Sequence, residues 1–81
     1  MNPMKVLVVE DDPDIRELLT LYFVAKGHEV AAANDGQDAL RQLQRVQPDL
    51  MLLDVVLPKL DGWGVLTAVR AQSRIPVILL T

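Results

Sequence analysis

Three acidic side chains follow apolar runs in this sequence and could bind one cation together. Glu10 and Asp11 come directly after the run KVLVV, and Asp54 ends the run DLMLLD. Two unit charges about 4 Å apart repel by about 4 kcal/mol at an effective dielectric constant near 20. Three carboxylates in one cleft would therefore protonate, move apart or bind a cation. Hard oxygen ligands without cysteine or histidine favour Mg2+ or Ca2+ over zinc, and few protein ligands with water completing the shell favour Mg2+ acting with a phosphate.

Several acidic residues also fit a role without ligand chemistry. Asp12 is favoured as the N-cap of a helix, and Asp61 as a cap or loop residue. By spacing alone, Asp54 is equally compatible with a ligand and with a solvated strand end. Thr81, which follows the last apolar run, indicates no function by itself.

The carboxylates can meet only if the surrounding elements bring them to one edge of a sheet. Four apolar runs predict strands at Lys5–Val9, Glu29–Ala33, Asp49–Leu53 and Pro76–Leu80. Three runs are nearly continuous in apolar residues, which suits strands covered on both faces in a parallel sheet. Helical segments lie between the runs, so the order β-α-β-α-β-α-β predicts an α/β fold with right-handed crossovers. Ligands of such sheets bind at the carboxyl ends of the strands.

Apolar residues at helical spacing define the helix faces that we expect to pack on the sheet. They are Ile15, Leu18, Leu19 and Tyr22; Ala39, Leu40, Leu43 and Val46; and Val65, Leu66 and Val69. Caps are predicted at Asp12 and at Asn34 or Asp35. Gly62 weakens the first turn of the third helix by roughly 1 kcal/mol relative to alanine, so another constraint is expected to keep it there. We expect His28 to be exposed and Trp63 to be partly buried.

Composition limits the classes of function. The 81 residues are 51% apolar and contain eleven acidic residues, eight basic residues and no cysteine. A net charge of −3 argues against direct binding of nucleic acid, because phosphate contacts need a basic face. Without cysteine, disulfides, thiolate metal sites and cysteine nucleophiles are excluded. The chain shows neither a signal peptide nor an apolar run of membrane-spanning length, so we expect a soluble, cytoplasmic protein.

Five motifs span the whole chain: VLVVEDD, GHEV, NDGQDAL, PDLMLLDVVLPKLDG and IPVILLT. Together they resemble the receiver domain of bacterial two-component response regulators, most closely those that precede a winged-helix DNA-binding domain and regulate transcription. The resemblance implies a flavodoxin-like open parallel sheet of strand order 2-1-3-4. It also implies that residues 1–81 are a partial receiver domain, truncated after the fourth strand, without the family's fifth strand and fourth and fifth helices.

The resemblance assigns roles to individual residues. Asp54 matches the phosphoacceptor, which takes a phosphoryl group from a histidine of a sensor histidine kinase and becomes an aspartyl phosphate. Asp11 and Asp54 match direct Mg2+ ligands, Glu10 reaches the ion through water, and the main-chain carbonyl of Val56 completes the set. Thr81 matches the hydroxyl that switches toward the phosphate.

Pro58 and Gly62 match the loop residues that shape the turn beside the acceptor. The family's phosphate-binding lysine has no match, so we expect a signalling module, and not an enzyme, whose phosphorylation is impaired.

The apolar fourth strand and the sheet face beside it predict a homo-oligomer, since unpaired edges and apolar patches drive association. One alternative is therefore a self-associating interaction fragment without phosphotransfer activity. Another is a small flavodoxin-like hydrolase or nucleotide binder, which the sequence disfavours because EDDPD replaces the glycine-rich phosphate loop after the first strand.

Overall fold

The computed structural model describes residues 2–55 and 62–80. The elements in chain order are β1 (Lys5–Val9), α1 (Pro13–Ala25), β2 (Glu29–Ala33), α2 (Gly36–Val46), β3 (Leu50–Asp54), α3 (Gly62–Gln72) and β4 (Val77–Leu80). The four strands form a parallel sheet of order β2-β1-β3-β4, which confirms the predicted flavodoxin-like architecture. No helix in the described ranges is long and apolar enough to span a bilayer.

Strand β1 lies at the centre of the sheet and fixes its register. Val9 pairs with Ala33 of β2 on one side and with Leu53 of β3 on the other. The pairing continues one residue further on the β2 side, where Glu10 N–H donates to the carbonyl oxygen of Ala33 at 3.1 Å. The carboxyl ends of β1 and β3 therefore finish side by side.

The core consists of two layers separated by the sheet. On one face, Leu7, Val9, Met51 and Leu53 pack against side chains of α2 and α3, which are Ala39, Leu43, Val65 and Val69. On the other face, Val6, Val8 and Leu52 meet Leu19 and Phe23 of α1. Alternate residues of β1 point to opposite faces and both sets are buried, which explains why its sequence is apolar without a break.

The predicted inward stripe of α1 is only partly correct. Leu19 packs on the sheet, whereas Ile15, Leu18 and Tyr22 are 45%, 67% and 55% exposed. The reason is the position of the helix, which lies mainly over β1 and β2 and leaves the same face of β4 partly open among the described residues, where Ile78 is 50% exposed. An apolar cavity of about 550 Å3 lies on that surface, lined by Leu18, Leu19, Tyr22, Phe23, Leu52, Ile78 and Leu80.

Side-chain caps begin the first two helices as predicted. Asp12 accepts hydrogen bonds from the main-chain N–H groups of Asp14 at 2.9 Å and Ile15 at 3.4 Å. Asp35, rather than Asn34, caps α2 by accepting from Asp38 N–H at 2.8 Å. These bonds satisfy N–H groups that have no partner within the helix, and they fix where each helix leaves the sheet.

Two single-residue predictions are wrong. His28 is buried, with 7% exposure, because its Nδ1 accepts a 3.0 Å hydrogen bond from Met4 N–H and its ring packs beside Phe23. Trp63 is 59% exposed, because it occupies the solvent side of the first turn of α3, while its neighbour Gly62 faces inward.

Close packing accounts for Gly62. Its N–H donates to the carbonyl oxygen of Val55 at 3.0 Å. A Cβ atom at this position would collide with the Cα of Val55 and would lie 2.5 Å from the carbonyl oxygen of Asp54. The start of α3 thus lies against the backbone that follows β3, and a side chain there would push the two apart.

We expect Gly62→Ala to destabilise the fold by about 2 kcal/mol or more, because the collision with main-chain atoms outweighs the gain of roughly 1 kcal/mol in helix propensity. Urea unfolding followed by circular dichroism measures the change. Gly27→Ala is the control, since a Cβ at Gly27 meets nothing within 4 Å and is opposed only by the positive φ of 90°. A Gly62→Ala protein more stable than the parent would contradict the steric explanation.

Candidate functional site

Three carboxylates converge at the carboxyl edge of the sheet. Glu10, Asp11 and Asp54 each offer an oxygen atom, and these oxygens all lie within 4.8 Å of one another. Glu10 is buried, Asp54 is half-buried and Asp11 is exposed, so the cluster runs from the sheet edge to solvent. The structure therefore brings together the three side chains that the sequence analysis selected, and their roles stay predictions.

The sheet register produces this convergence. Val9 pairs with Leu53, so the residues that follow them, Glu10 and Asp54, lie next to each other at the carboxyl edge of the sheet. Asp11 is carried by the short connection from β1 to α1, which ends at the Asp12 cap. A cavity of about 320 Å3 opens beside the cluster and is lined by Glu10, Ile15, Leu19, Asp54 and Leu80.

Burial and crowding change the acidity of Glu10. Its pKa rises from an ordinary value of 4.5 to about 7, chiefly because burial disfavours the charged form. The negative charge of Asp54 and hydrogen bonds with Asp54 and Asp11 raise the pKa further, and the hydrogen bond from Asp12 N–H opposes them. Glu10 consequently holds its proton to neutral pH unless positive charge is supplied.

Hydrogen bonds hold the connection that carries the acids. Asp12 N–H donates to Oε1 of Glu10 at 3.1 Å. Nη1 of Arg16 donates to the carbonyl oxygen of Glu10 at 2.9 Å and to that of Asp11 at 3.4 Å. Sequence analysis missed Arg16, although its place one helical turn after the Asp12 cap put its guanidinium within reach of these carbonyls.

The cluster fits a divalent cation of the magnesium type. All three side chains donate hard oxygen atoms, which Mg2+ prefers. Burial raises the pKa of Glu10, with the nearby charge of Asp54 adding to it, and a bound divalent ion would favour the charged form of all three carboxylates. Residues 56–61 and Thr81 lie outside the described residues. Three predictions therefore stay predictions: the carbonyl ligand of Val56, the loop roles of Pro58 and Asp61, and the switch hydroxyl of Thr81.

Comparison with known proteins identifies the family. A family model described as the response regulator receiver domain matches residues 6–81. The chain belongs to the response regulator receiver family. This assignment confirms the family resemblance inferred from the motifs.

Curated relatives of this receiver are named as regulators of transcription. The chain is 46% identical over 81 residues, all of its length, to a probable transcriptional regulator ycf27 of Cyanophora paradoxa, of which it covers 34%. It is 40% identical over 77 residues, 95% of its length, to the DNA-binding response regulator MtrA of Mycolicibacterium smegmatis, of which it also covers 34%. The chain thus spans about a third of the length of these relatives.

Solved receiver structures share the fold closely. The N-terminal domain of a response regulator receiver protein from Methanoculleus marisnigri superposes with a TM-score of 0.94 at 31% identity, covering 99% of this chain and 68% of that one. The BeF3-activated receiver domain of Klebsiella pneumoniae RstA gives a TM-score of 0.91 at 36% identity, with 95% and 66% covered. At these identities the likeness extends beyond topology to sequence.

We expect the receiver's stability without metal to fall as pH rises from about 5 to about 8, by on the order of 1–3 kcal/mol. The folded state binds the Glu10 proton up to about pH 7 and the unfolded state only to about 4.5, so the stabilisation is complete below 4.5 and lost above 7. Glu10→Gln should remove most of this decline, because an amide does not titrate in this pH range. The amide oxygen can still accept from Asp12 N–H, so that hydrogen bond is kept. Urea unfolding in EDTA measures it.

Glu17→Gln, which changes an exposed acid on α1, is the matched control and should keep the decline of the parent. Equal slopes for the parent and Glu10→Gln would show that Glu10 does not hold the proton.

Proposed function

We propose that this receiver accepts a phosphoryl group on Asp54 from a phosphohistidine of a sensor histidine kinase. The observation that supports the proposal is the convergence of Asp54 with Glu10 and Asp11 beside an open cavity. Carboxylates this close to one another repel, which costs folding free energy, and a bound cation would offset that cost. Such an arrangement is useful where a cation and a phosphoryl group bind.

Asp54 supplies the nucleophile in this proposal. One of its carboxylate oxygens attacks the phosphorus, a P–O bond forms, and the P–N bond to the kinase imidazole breaks. The electron pair of that bond remains on the imidazole nitrogen. The ring leaves neutral if its other nitrogen carries a proton, and otherwise the departing nitrogen takes a proton from solvent. The product is an acyl phosphate on Asp54, a form of covalent catalysis by a carboxylate.

Glu10 and Asp11 prepare the electrostatics of the transfer. Without a cation, Glu10 has a pKa of about 7 and is partly protonated near neutral pH, and a cation bound beside it would favour its charged form. We propose that Asp11 and Asp54 bind Mg2+ directly, that Glu10 binds it through water, and that the Val56 carbonyl completes the protein ligands. When bound, Mg2+ neutralises charge on the phosphoryl oxygens.

Thr81 is proposed as the hydroxyl that hydrogen-bonds the phosphoryl group after transfer. The residue before it, Leu80, lines the cavity beside Glu10 and Asp54, which supports placing Thr81 at this edge. Since the relatives are named as transcriptional regulators and are about three times as long, we propose that phosphorylation of this cytoplasmic module regulates transcription through other parts of a longer protein.

We expect acetyl phosphate with Mg2+ to add one phosphoryl group to the 81-residue chain, at low occupancy and for a short time. Occupancy should be low because the lysines among the described residues, Lys5 at the start of β1 and Lys26 after α1, lie at the opposite edge of the sheet from Asp54. Intact mass spectrometry measures the labelled fraction. Asp54→Asn and removal of Mg2+ with EDTA should each reduce it to background.

Asp49→Asn is the matched control, because Asp49 lies before the amino end of β3, where its carboxylate accepts from Lys5 N–H at 2.9 Å. This variant should be labelled like the parent. Labelling that survives in Asp54→Asn would refute the assignment of the acceptor, and abundant, long-lived labelling of the parent would refute the importance given to a lysine near the phosphate.

We also propose that the 81-residue chain self-associates, which a specific surface favours. Leu18, Tyr22 and Ile78 are half-exposed or more around the apolar cavity of about 550 Å3, and β4 is an edge strand of the described sheet. Burying this surface against a second copy removes apolar area from water and can pair the open strand edge.

Light scattering coupled to size exclusion should give a mass above that of the monomer at high concentration. Ile78→Lys should restore the monomer, since it places a charge within the cavity surface. Leu21→Lys, at an exposed position of α1 that does not line the cavity, should associate like the parent. A parent chain that stays monomeric at its highest attainable concentration contradicts the proposal.

A further inference from the structure

Arg16 holds the main chain that carries two of the three carboxylates. Its Nη1 donates to the carbonyl oxygen of Glu10 at 2.9 Å and, at the longer distance of 3.4 Å, to that of Asp11. The side chain is half-buried beside the cluster, on the first turns of α1. Both acceptors are main-chain oxygens, so the contact constrains the direction of the chain at residues 10 and 11.

Other hydrogen bonds hold two N–H groups of this connection, and Arg16 holds two of its carbonyl oxygens. The N–H of Glu10 is held by Ala33 of β2, and the N–H of Asp12 is held by the Glu10 side chain. The carbonyl oxygens of Glu10 and Asp11 point away from those bonds and meet Arg16 instead. The peptide units on both sides of Asp11 are thereby tied to α1.

We propose that Arg16 is a positioning residue for the divalent-cation site, acting by fixing the peptide units on which the Glu10 and Asp11 carboxylates are mounted. The proposal rests on the proposed function, because it gives Arg16 a part in preparing the site for Mg2+. It assigns Arg16 no contact with the ion or the phosphoryl group. Groups that orient metal ligands from outside the coordination shell affect affinity although they do not touch the metal.

Two effects of Arg16 on cation binding have opposite signs. As a nearby positive charge it repels a cation, so its removal should tighten Mg2+ binding if charge dominates. As a donor that orders the ligand-bearing peptides it favours binding, so its removal should weaken Mg2+ binding if positioning dominates. We infer that positioning dominates, because the hydrogen bonds of the guanidinium end on the main-chain carbonyls of Glu10 and Asp11, the residues whose carboxylates form the site.

Two substitutions separate these effects. Arg16→Met keeps an apolar stem but removes the charge and the donors. Arg16→Lys keeps the charge but replaces the rigid, planar donor group with a strongly hydrated ammonium on a flexible stem. Positioning predicts weaker Mg2+ binding in both variants, by about tenfold, at the low end of the range for residues that orient metal ligands. Calorimetric titration of the 81-residue chain with Mg2+ measures the dissociation constants.

Arg70 provides a matched control within the same chain. Its Nη1 also donates to two main-chain carbonyls, those of Ile75 at 2.7 Å and Ser73 at 3.4 Å. These acceptors precede β4, at the amino edge of the sheet and opposite the acidic cluster. Arg70→Met should lower stability to an extent similar to Arg16→Met and leave the Mg2+ dissociation constant unchanged within about twofold.

Amide hydrogen exchange at Asp12 gives a readout that does not depend on metal. Its N–H bonds to the Glu10 carboxylate, so loosening of the connection should raise its exchange rate in Arg16→Met and Arg16→Lys but not in Arg70→Met. Unchanged exchange at Asp12, or tighter Mg2+ binding in Arg16→Met with unchanged binding in Arg16→Lys, would overturn the proposal.

Failure of the parent to bind Mg2+ would instead refute the metal part of the proposed function. The exchange rates would then still decide whether Arg16 orders the connection. Faster exchange in both Arg16 variants, without Mg2+ binding by the parent, would limit the role of Arg16 to the fold and overturn the cation-site assignment.

Discussion

The repulsion among Glu10, Asp11 and Asp54 is the constraint on which the functional edge depends. The register of β1 against β3 forces the cluster, because both strands end at the same level of a parallel sheet. The protein offsets the repulsion by retaining a proton on Glu10 and by tying the neighbouring main chain to β2 and α1. The remaining repulsion lowers the stability of the fold, and a bound cation would offset it.

Much of this fold could be predicted from the sequence because its signals are local. The apolar runs determined the strands to within one residue, and the predicted Asp12 cap determined the start of α1. The meeting of the acids followed from topology, once alternation indicated a parallel sheet. Roles such as phosphoacceptor and switch came only from the family resemblance, since spacing alone left Asp54 equally compatible with a solvated strand end.

The failures of prediction concern contacts between elements that are distant in sequence. His28 looked exposed in its turn, but its burial depends on Met4 and Phe23, which the turn sequence does not specify. The stripe on α1 showed which residues share a helix face without showing how far the helix lies from β3 and β4. Arg16 escaped notice because its partners are main-chain oxygens, so only its position one turn after the Asp12 cap indicated the contact. Gly62 was anomalous in sequence, and only the proximity of Val55 explained it.

The central position of β1 has a consequence for partial unfolding. Val6, Leu7, Val8 and Val9 are completely buried, and the strand is hydrogen-bonded on both sides, whereas β4 is bonded within the described sheet only to β3. Fluctuations that release the outer strand are therefore expected at lower free energy than those that disturb the middle of the sheet. Glu10 and Asp11 follow β1, so they stay attached to the middle of the sheet in such openings. We therefore expect the two acids to keep their positions in conformers in which β4 has already separated from β3.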